Sequence, residues 1–169
     1  MGPNTGGSPA QEKWGQKVNI AYFLIPKNRV AYLYDDFTFR QGLEKMRYHR
    51  YTTIPVISRN GQYAGTISEG ELLWKLLEEG NREDVEEPFS MKQMEHLLIR
   101  DIIRTDEYPP TRITVGMEEL LNNAMNQNFI PVVDDLGNFI GIVTRKEVIQ
   151  YFAEQKNEEI PAIAMQRIV

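Results

Sequence analysis

An internal repeat constrains the fold of this chain more than any other feature of its sequence. The stretch Ile54–Glu71 aligns without a gap with Ile130–Glu147, 76 residues later. Both stretches begin with Ile-Pro-Val, carry two glycines at matching positions and end in Glu. Most other aligned positions hold similar residues, such as Tyr63 and Phe139. Because each copy of a duplicated unit forms the same supersecondary structure, the sequence predicts two related repeats packed into one module.

Each copy carries the pattern of a β-hairpin. A short run rich in β-branched residues predicts a buried strand, and a glycine-containing turn leads into a second strand. In the first copy the turn residues Asn60 and Gly61 favour a type I′ hairpin. Gly65 and Gly141 fall inside the second strands, where the missing side chain allows another backbone segment to approach closely.

Helices are predicted on both sides of each hairpin. Ser68 and Thr144 follow the hairpins, and a hydroxyl at this point is typical of a helix N-cap. The apolar positions of these two helices are predicted to face the core; they are Leu72, Leu73, Leu76, Leu77, Val148, Ile149 and Phe152. Two further helices, at about Phe39 to Arg50 and Met117 to Asn126, precede the hairpins and follow extended segments at Val30–Leu33 and Arg112–Val115. The predicted order within each repeat is βαββα.

Length and composition allow one compact module. A chain of 169 residues with 41% apolar and 25% charged residues has the balance of a globular protein. We expect a flexible leader at 1–17, a first repeat at 18–88, a second repeat at 89–155 and a tail at 156–169. The second repeat is expected to begin with a connecting helix over 90–104. The apolar tail is expected to dock on the module or on a second subunit.

Charge, hydropathy and residue types exclude several functions. A net charge of −5 without a lysine or arginine block argues against a nucleic-acid partner. No apolar run is long enough for membrane insertion. The lack of cysteine removes disulfides, thiolate metal sites and cysteine nucleophiles, and it fits a cytoplasmic location. His49 and His96 have no second ligand at helical spacing, so no metal site is expected. With no triad, P-loop or dinucleotide-binding glycine pattern, we expect neither an enzyme nor a catalytic cofactor.

The order of these features resembles the cystathionine-β-synthase (CBS) domain. In that family an extended segment, a helix, an Ile-Pro-Val strand and a glycine-bounded hairpin precede a Gly-hydrophobic-x-Ser/Thr-x-x-acid motif, as in Gly65–Glu71 and Gly141–Glu147. The resemblance covers about Val18 to Phe152. It implies an α+β fold in which two βαββα repeats pack sheet to sheet as a pseudo-two-fold disc, known as a Bateman module. It also implies two clefts that commonly hold AMP, ADP, ATP, S-adenosylmethionine or cyclic di-AMP, and a homodimer.

The resemblance assigns nucleotide-binding roles to matching positions. In this family the extended segment reads the adenine edge through its backbone, an apolar slot beside Ile-Pro holds the base, and the hydroxyl and charges at the helix start contact phosphate. The positions implied are Val30, Ala31, Tyr32, Thr53, Ile54, Pro55, Ser68 and Glu71 in the first copy, and Ile113, Thr114, Phe129, Ile130, Pro131, Thr144, Arg145, Lys146 and Glu147 in the second. Since Arg145 and Lys146 add cations, the Thr144 side is expected to hold phosphate better than the Ser68 side.

The family's ribose-binding residue is typically Asp, and this chain has Glu71 and Glu147 at the two positions. The extra methylene disfavours a close grip on the 2′- and 3′-hydroxyls, and the 3′-oxygens of cyclic di-AMP are esterified. The pattern therefore favours a cyclic dinucleotide over a mononucleotide, and it is similar to small stand-alone CBS proteins that bind cyclic di-AMP.

Structural explanations compete with these roles. Ser68 and Thr144 are equally well explained as N-caps, and Glu71 and Glu147 as acids favoured by the helix dipole. Lys27, Arg29 and His49 are more typical of solvated charge. Two functions therefore stay open: a regulatory module that binds an adenine nucleotide and signals to a partner protein, or a ligand-free interaction module with degenerate sites.

Overall fold

The computed structural model describes residues 19–80 and 91–154, so the predicted leader, the tail and the acidic stretch 81–88 lie outside the described residues. The helices are α1 (Phe39–His49), α2 (Glu69–Gly80), α3 (Met117–Asn126) and α4 (145–154). The strands are β1 (Ile25–Pro26), β2 (Leu33–Tyr34), β3 (Thr53–Ile57), β4 (Tyr63–Ser68), β5 (Thr111–Arg112), β6 (Phe129–Val133) and β7 (Phe139–Thr144). Short 3-10 helices lie at Ile20–Tyr22, Lys27–Arg29, Met91–His96 and Ile99–Asp101.

The strands form two sheets that exchange segments. One sheet has the order β2-β3-β4 and the other has the order β1-β7-β6-β5. β1 lies at the start of the first repeat in sequence, yet it pairs with β7 of the second repeat. In the same way, Arg104 bridges to Thr66 in β4 of the first repeat. The two repeats of the predicted α+β fold are confirmed, and each contributes backbone to the sheet of the other.

The hairpin tips meet around the pseudo-two-fold axis. The Tyr63 N–H donates to the Gly137 carbonyl at 3.1 Å, and the Phe139 N–H donates to the Gly61 carbonyl at 2.9 Å. The rings of Tyr63 and Phe139 stack with centroids 6.2 Å apart. Because these two bonds are reciprocal, the hairpins are related by the symmetry that the aligned repeats predict.

Three apolar clusters hold the layers together. α1 and α2 pack on the first sheet through residues such as Phe39 and Leu72, and α3 and α4 pack on the second through residues such as Leu120 and Val148. A smaller cluster around Val30, Ile57 and Phe139 lies between the repeats. Apolar burial therefore covers both faces of each sheet, which is the main source of stability in such a layered fold.

Three of the apolar residues that were predicted to face the core are exposed instead. Leu73, Leu77 and Ile149 are exposed by 53%, 48% and 59%. The core stripe runs instead through Leu72 and Leu76 in α2, with Val148 and Phe152 at matching positions in α4. Residues four apart share one face of a helix, so Leu73 and Leu77 form a second, outward stripe.

The connecting helix predicted over 90–104 is also wrong. The described residues of this span form two 3-10 helices, separated by an extended Leu98. The backbone here bonds to the segment that leads into α1: the Phe39 N–H donates to the Leu97 carbonyl, and the Ile99 N–H to the Phe37 carbonyl, both at 2.8 Å. These tertiary hydrogen bonds replace the helical ones that the apolar spacing suggested.

The first hairpin turn differs from the predicted type I′ turn. Gly61 has φ +91°, whereas Asn60 keeps a negative φ, and the Gly61 N–H donates to the Ser58 carbonyl at 2.9 Å. In the second copy Gly137 has φ +82° and bonds to the Asp134 carbonyl in the same way. A type I′ turn needs positive φ at both central residues, so both hairpins use a longer turn that ends in a left-handed glycine.

The glycines inside β4 and β7 are required by contact with the exchanged segments. A Cβ at Gly65 would lie 2.7 Å from the Arg104 carbonyl oxygen, and a Cβ at Gly141 would overlap the Ile25 carbonyl oxygen. We predict that Gly65→Ala or Gly141→Ala lowers the free energy of unfolding by about 1–3 kcal/mol through overpacking. Gly70→Ala, in the open first turn of α2, is the matched control and should leave the stability unchanged or raise it. Urea denaturation of the three variants measures the difference, and equal midpoints would contradict the assignment.

Asp134 holds the second hairpin turn. Its carboxylate accepts hydrogen bonds from the Leu136 N–H at 2.9 Å and from the Asn138 N–H and side-chain amide, each at 2.8 Å. These bonds, the Asn138 side chain first, lower the pKa of Asp134. A lowered pKa stabilises the fold above the unfolded value of 3.8, and this contribution is lost as pH falls through the folded pKa.

We predict that Asp134→Ala lowers the Tm at neutral pH more than Asp135→Ala, its exposed neighbour. The gap between the two variants should close in acid, because protonation removes the same interaction from the wild type. Melting curves across a pH series test this expectation. A gap that persists after Asp134 is protonated would assign the effect to something other than its charge.

Candidate functional site

A cleft of about 870 Å³ opens beside the 3-10 helix Lys27–Arg29. Its walls come from the crossing segment that links β1 to β2, from α1 and from the start of β7, so both repeats contribute. The lining residues are Pro26, Lys27, Asn28, Arg29, Val30, Ala31, Tyr32, Lys45, His49, Phe139 and Ile140. A volume of this size suits a small-molecule ligand.

The crossing segment has little regular structure at the cleft. β1 ends at Pro26, and the Val30 N–H closes one 3-10 turn by donating to the Lys27 carbonyl at 3.2 Å. Ala31 and Tyr32 then run outside any helix or strand until β2 begins. Val30 is buried in the cluster between the repeats and anchors the segment. The chain therefore presents backbone and side chains to the cleft from a fixed position.

The cleft carries positive charge without a compensating acid. Lys27 Nζ lies 5.4 Å and Lys45 Nζ 5.3 Å from the centroid of the Tyr32 ring, and Arg29 also lines the cleft. Among residues 19–80 and 91–154, no Asp or Glu lines the cleft, and these three cations make no ion pair with any carboxylate. Cations that lack a carboxylate partner in a concave site attract anions.

Tyr32 gives the cleft an aromatic surface. Its hydrogen bond with Tyr34 and its partial burial raise the pKa of Tyr32, so the phenol is neutral at physiological pH. A neutral ring flanked by two ammonium groups offers a flat face for a planar base together with contacts for phosphate.

The predicted residues of β3 lie beside the crossing segment. Leu33 pairs with Val56 and Tyr34 with Ile57 in a parallel register, which places Val30 and Ala31 level with the start of β3. The predicted slot residues of this strand differ in exposure: Ile54 and Pro55 are buried, and Thr53 is half-buried. Val30, Ala31 and Tyr32 line the cleft itself.

Ser68 and Glu71 form a capping box at the start of α2. Ser68 Oγ accepts from the Glu71 N–H at 3.3 Å, and Glu71 Oε2 accepts from the Ser68 N–H at 2.6 Å and from Ser68 Oγ at 3.0 Å. Arg104 Nε is 3.8 Å from Glu71 Oε1, which has no hydrogen-bond partner. Both side chains thus satisfy the helix terminus, as the N-cap explanation requires.

Thr144 and Glu147 form the side-chain half of such a box at the start of α4. Thr144 Oγ1 accepts from the Glu147 N–H at 3.3 Å and donates to Glu147 Oε2 at 3.0 Å. The guanidinium of Arg145 donates to the Gln127 carbonyl at 3.0 Å, at the end of α3, and Lys146 is exposed. None of these four predicted residues is among those that line the cleft.

The strand register corrects the correspondence predicted for the second copy. Thr111 pairs with Val132 as Leu33 pairs with Val56, so the residues equivalent to Val30–Tyr32 are Tyr108–Pro110. Ile113 packs against the second core and Thr114 is exposed, both beyond β5. The slot residues Phe129, Ile130 and Pro131 are all buried in β6.

Lys45 and His49 line the cleft and were not among the predicted site residues. They lie four residues apart and share one face of α1. Their spacing was visible in the sequence, but only the packing of α1 against the crossing segment shows that this face borders the cleft.

The described part of the chain has neither a metal-binding cluster nor a membrane-spanning helix. Within residues 19–80 and 91–154, no group of three or more His, Asp or Glu side chains is arranged to hold a metal ion. In the same residues there is no helix long and apolar enough to cross a membrane.

Similar folds occur in solved structures. CbpB in complex with c-di-AMP has a TM-score of 0.76 at 19% identity, over 92% of this chain and 99% of that one. CbpB of Listeria monocytogenes in complex with c-di-AMP gives 0.70 at 24% identity, over 82% and 97%. CBSX2 in complex with AMP gives 0.62 at 20% identity, over 82% and 98%.

Sequence comparison points to the same family. An uncharacterized protein of Methanopyrus kandleri is 24% identical over 106 residues, which are 63% of this chain and 49% of that protein, so the match spans about half of the relative's length. The CBS domain family matches residues 24–78 and 99–154. Since these two matches cover more than half of its residues, the chain belongs to the CBS domain family.

Proposed function

We propose that this chain is a regulatory module that binds an adenine nucleotide in the cleft and signals to a partner protein. The observation that carries the proposal is the cleft's charge: Lys27, Arg29 and Lys45 lie around Tyr32, and none of the described residues that line the cleft is acidic. Leaving such charges unpaired is unfavourable unless a polyanion or solvent compensates them. A nucleotide supplies both the phosphate and a planar base for the ring.

The crossing segment supports adenine as the base. Ala31 and Tyr32 lie outside helix and strand, in the position from which this family reads the adenine edge through the backbone. CbpB is solved with c-di-AMP and CBSX2 with AMP, and both share this fold. Their ligands define the class of compound to test first.

Among adenine nucleotides, the capping boxes favour cyclic di-AMP. Glu71 and Glu147 lie at the position whose side chain typically binds the ribose in this family. The Oε2 atom of each accepts hydrogen bonding from the N-cap residue of its helix. A ribose diol gripped by both carboxylate oxygens would have to break the Oε2 bonds to the N-cap residue, each worth about 1 kcal/mol. Cyclic di-AMP has esterified 3′-oxygens and offers no such diol, so its binding would leave these hydrogen bonds intact.

Signalling would follow from the composition of the cleft. The crossing segment and α1 belong to the first repeat, whereas Phe139 and Ile140 belong to the second. A ligand that touches both repeats favours one relative arrangement over others, and a partner protein can read that arrangement. The partner is expected to be recognised by surfaces that change with occupancy.

We predict that Lys45→Gln weakens nucleotide binding roughly 10- to 100-fold, because one charge-assisted contact contributes about 1.5–3 kcal/mol. Isothermal titration with cyclic di-AMP, AMP, ADP, ATP, S-adenosylmethionine and cyclic di-GMP identifies the ligand and measures the loss. Lys92→Gln, an exposed lysine that does not line the cleft, is the control and should bind like wild type. If none of these compounds binds, the proposal is wrong and a ligand-free interaction module is favoured.

Thr144 separates the cap role from the predicted phosphate contact. We predict that Thr144→Ala lowers the free energy of unfolding by about 1 kcal/mol, because the Glu147 N–H loses its acceptor. Thr144→Ser keeps the hydroxyl and should retain most of that stability. If the hydroxyl also contacts phosphate, Thr144→Ala weakens the ligand identified above and Thr144→Ser does not. Unchanged affinity in both variants would leave Thr144 with the cap role alone.

A further inference from the structure

The pseudo-two-fold symmetry of the module breaks in the two crossing segments. The first runs from β1 to β2 and lines the cleft; the second runs from the Arg104 bridge to β5. Strand register makes Tyr108, Pro109 and Pro110 equivalent to Val30, Ala31 and Tyr32. The space between the second crossing segment and Phe129, the residue of β6 that aligns with Thr53, is called here the second slot.

The charge of the second crossing segment is reversed. Residues 27–29 read Lys-Asn-Arg, whereas 105–107 read Thr-Asp-Glu. α1 brings Lys45 and His49 to the cleft, whereas α3 contains no Lys, Arg or His. The segment 105–107 therefore has no counterpart of Lys27 or Arg29, Glu107 is paired with Arg104 at 2.9 Å, and Asp106 adds a carboxylate that disfavours phosphate.

The backbone of the second crossing segment lacks the donors that the first one has. Proline has no N–H, so Pro109 and Pro110 cannot donate a hydrogen bond to a base. At the equivalent positions, Ala31 and Tyr32 keep their N–H groups. A base in the second slot would therefore lose the edge contacts available in the cleft.

The second slot is also filled by a side chain of the protein. The Tyr108 ring packs on Phe129, with centroids 5.1 Å apart and planes tilted by 34°. The Tyr63 hydroxyl donates to the Tyr108 carbonyl at 2.8 Å and ties this residue to the first repeat. Tyr63 is held at the hairpin tips, and burial raises the pKa of its hydroxyl, so this donor keeps its proton.

We infer that Tyr108 closes the second slot with its own ring, so that each chain takes at most one adenine nucleotide, in the cleft beside Lys27–Arg29. The binding half of this inference rests on the proposed function, whereas the packing of Tyr108 is independent of any ligand. Charge reversal, missing backbone donors and the aromatic ring all act in the same direction. The two repeats then share one backbone arrangement but differ in the residues available to bind a ligand.

The packing half is tested without a nucleotide. Tyr108→Ala empties the slot, and its Tm should fall by roughly 4–8 °C for a chain of this size. Tyr48→Ala, which removes a ring that is 83% exposed, is the control and should shift the Tm little. Equal melting temperatures for the two variants would show that Tyr108 does not fill the slot, and would overturn the inference.

The binding half is tested by stoichiometry. Titration of the full chain with cyclic di-AMP or AMP should give one site per chain at most, and two sites would overturn the inference. The triple variant Tyr108→Val, Pro109→Ala, Pro110→Tyr places the first-repeat sequence in the second crossing segment and should create a second, weaker site. If this variant melts like a folded protein but gains no site, the segment does not decide occupancy. Binding of no nucleotide at all would count against the proposed function, and the Tm comparison would still decide the role of Tyr108.

Discussion

Close backbone contacts at Gly65 and Gly141 join the two repeats, and the position of the cleft depends on them. Each glycine faces a carbonyl from a segment that has crossed from elsewhere in the chain, at Arg104 and Ile25. β1 is thereby fixed in one sheet while β2 must join the other, so the chain between them has to cross the interface. That crossing segment forms one wall of the cleft. A side chain at Gly141 would push β1 away and disturb the cleft along with the fold, whereas one at Gly65 would displace Arg104.

The frame and the crossing segments are under different physical demands. The hairpins must keep glycines, buried β-branched residues and caps, and these are the positions that align between the copies. The crossing segments need only be long enough to connect one sheet to the other. Their side chains are therefore free to differ, as Lys-Asn-Arg at 27–29 and Thr-Asp-Glu at 105–107 do. One duplicated fold can in this way hold an open cationic cleft on one side and a slot filled by Tyr108 on the other.

Local signals predicted the hairpins, the caps and the glycine contacts, because each of these depends on residues close in sequence. The signals failed where distant backbone decided the outcome. The segment after Met91 has the apolar spacing of a helix, yet it bonds to residues 35–39 instead. The second extended segment was predicted at 112–115, whereas Leu33 and Thr111 hold equivalent places in the two sheets, so the equivalents of Val30–Tyr32 lie at 108–110. Lys45 and His49 needed the packing of α1 to be recognised as cleft residues.

The hydrogen bonds of Glu71 with Ser68 and of Glu147 with Thr144 relate the stability of the helix termini to the choice of ligand. Glutamate at the third position of a helix reaches back to the N-cap residue, and Glu71 and Glu147 both do so. Only Oε2 of each carboxylate is engaged in this way, and recruiting that oxygen for a ribose would expose the groups it now serves. Aspartate, being shorter, is less able to complete the box and stays more available to a ligand. Glutamate at this position therefore favours helix stability, and under the proposed function recognition would rest on the charge of Lys27, Arg29 and Lys45 and on the backbone of the first crossing segment.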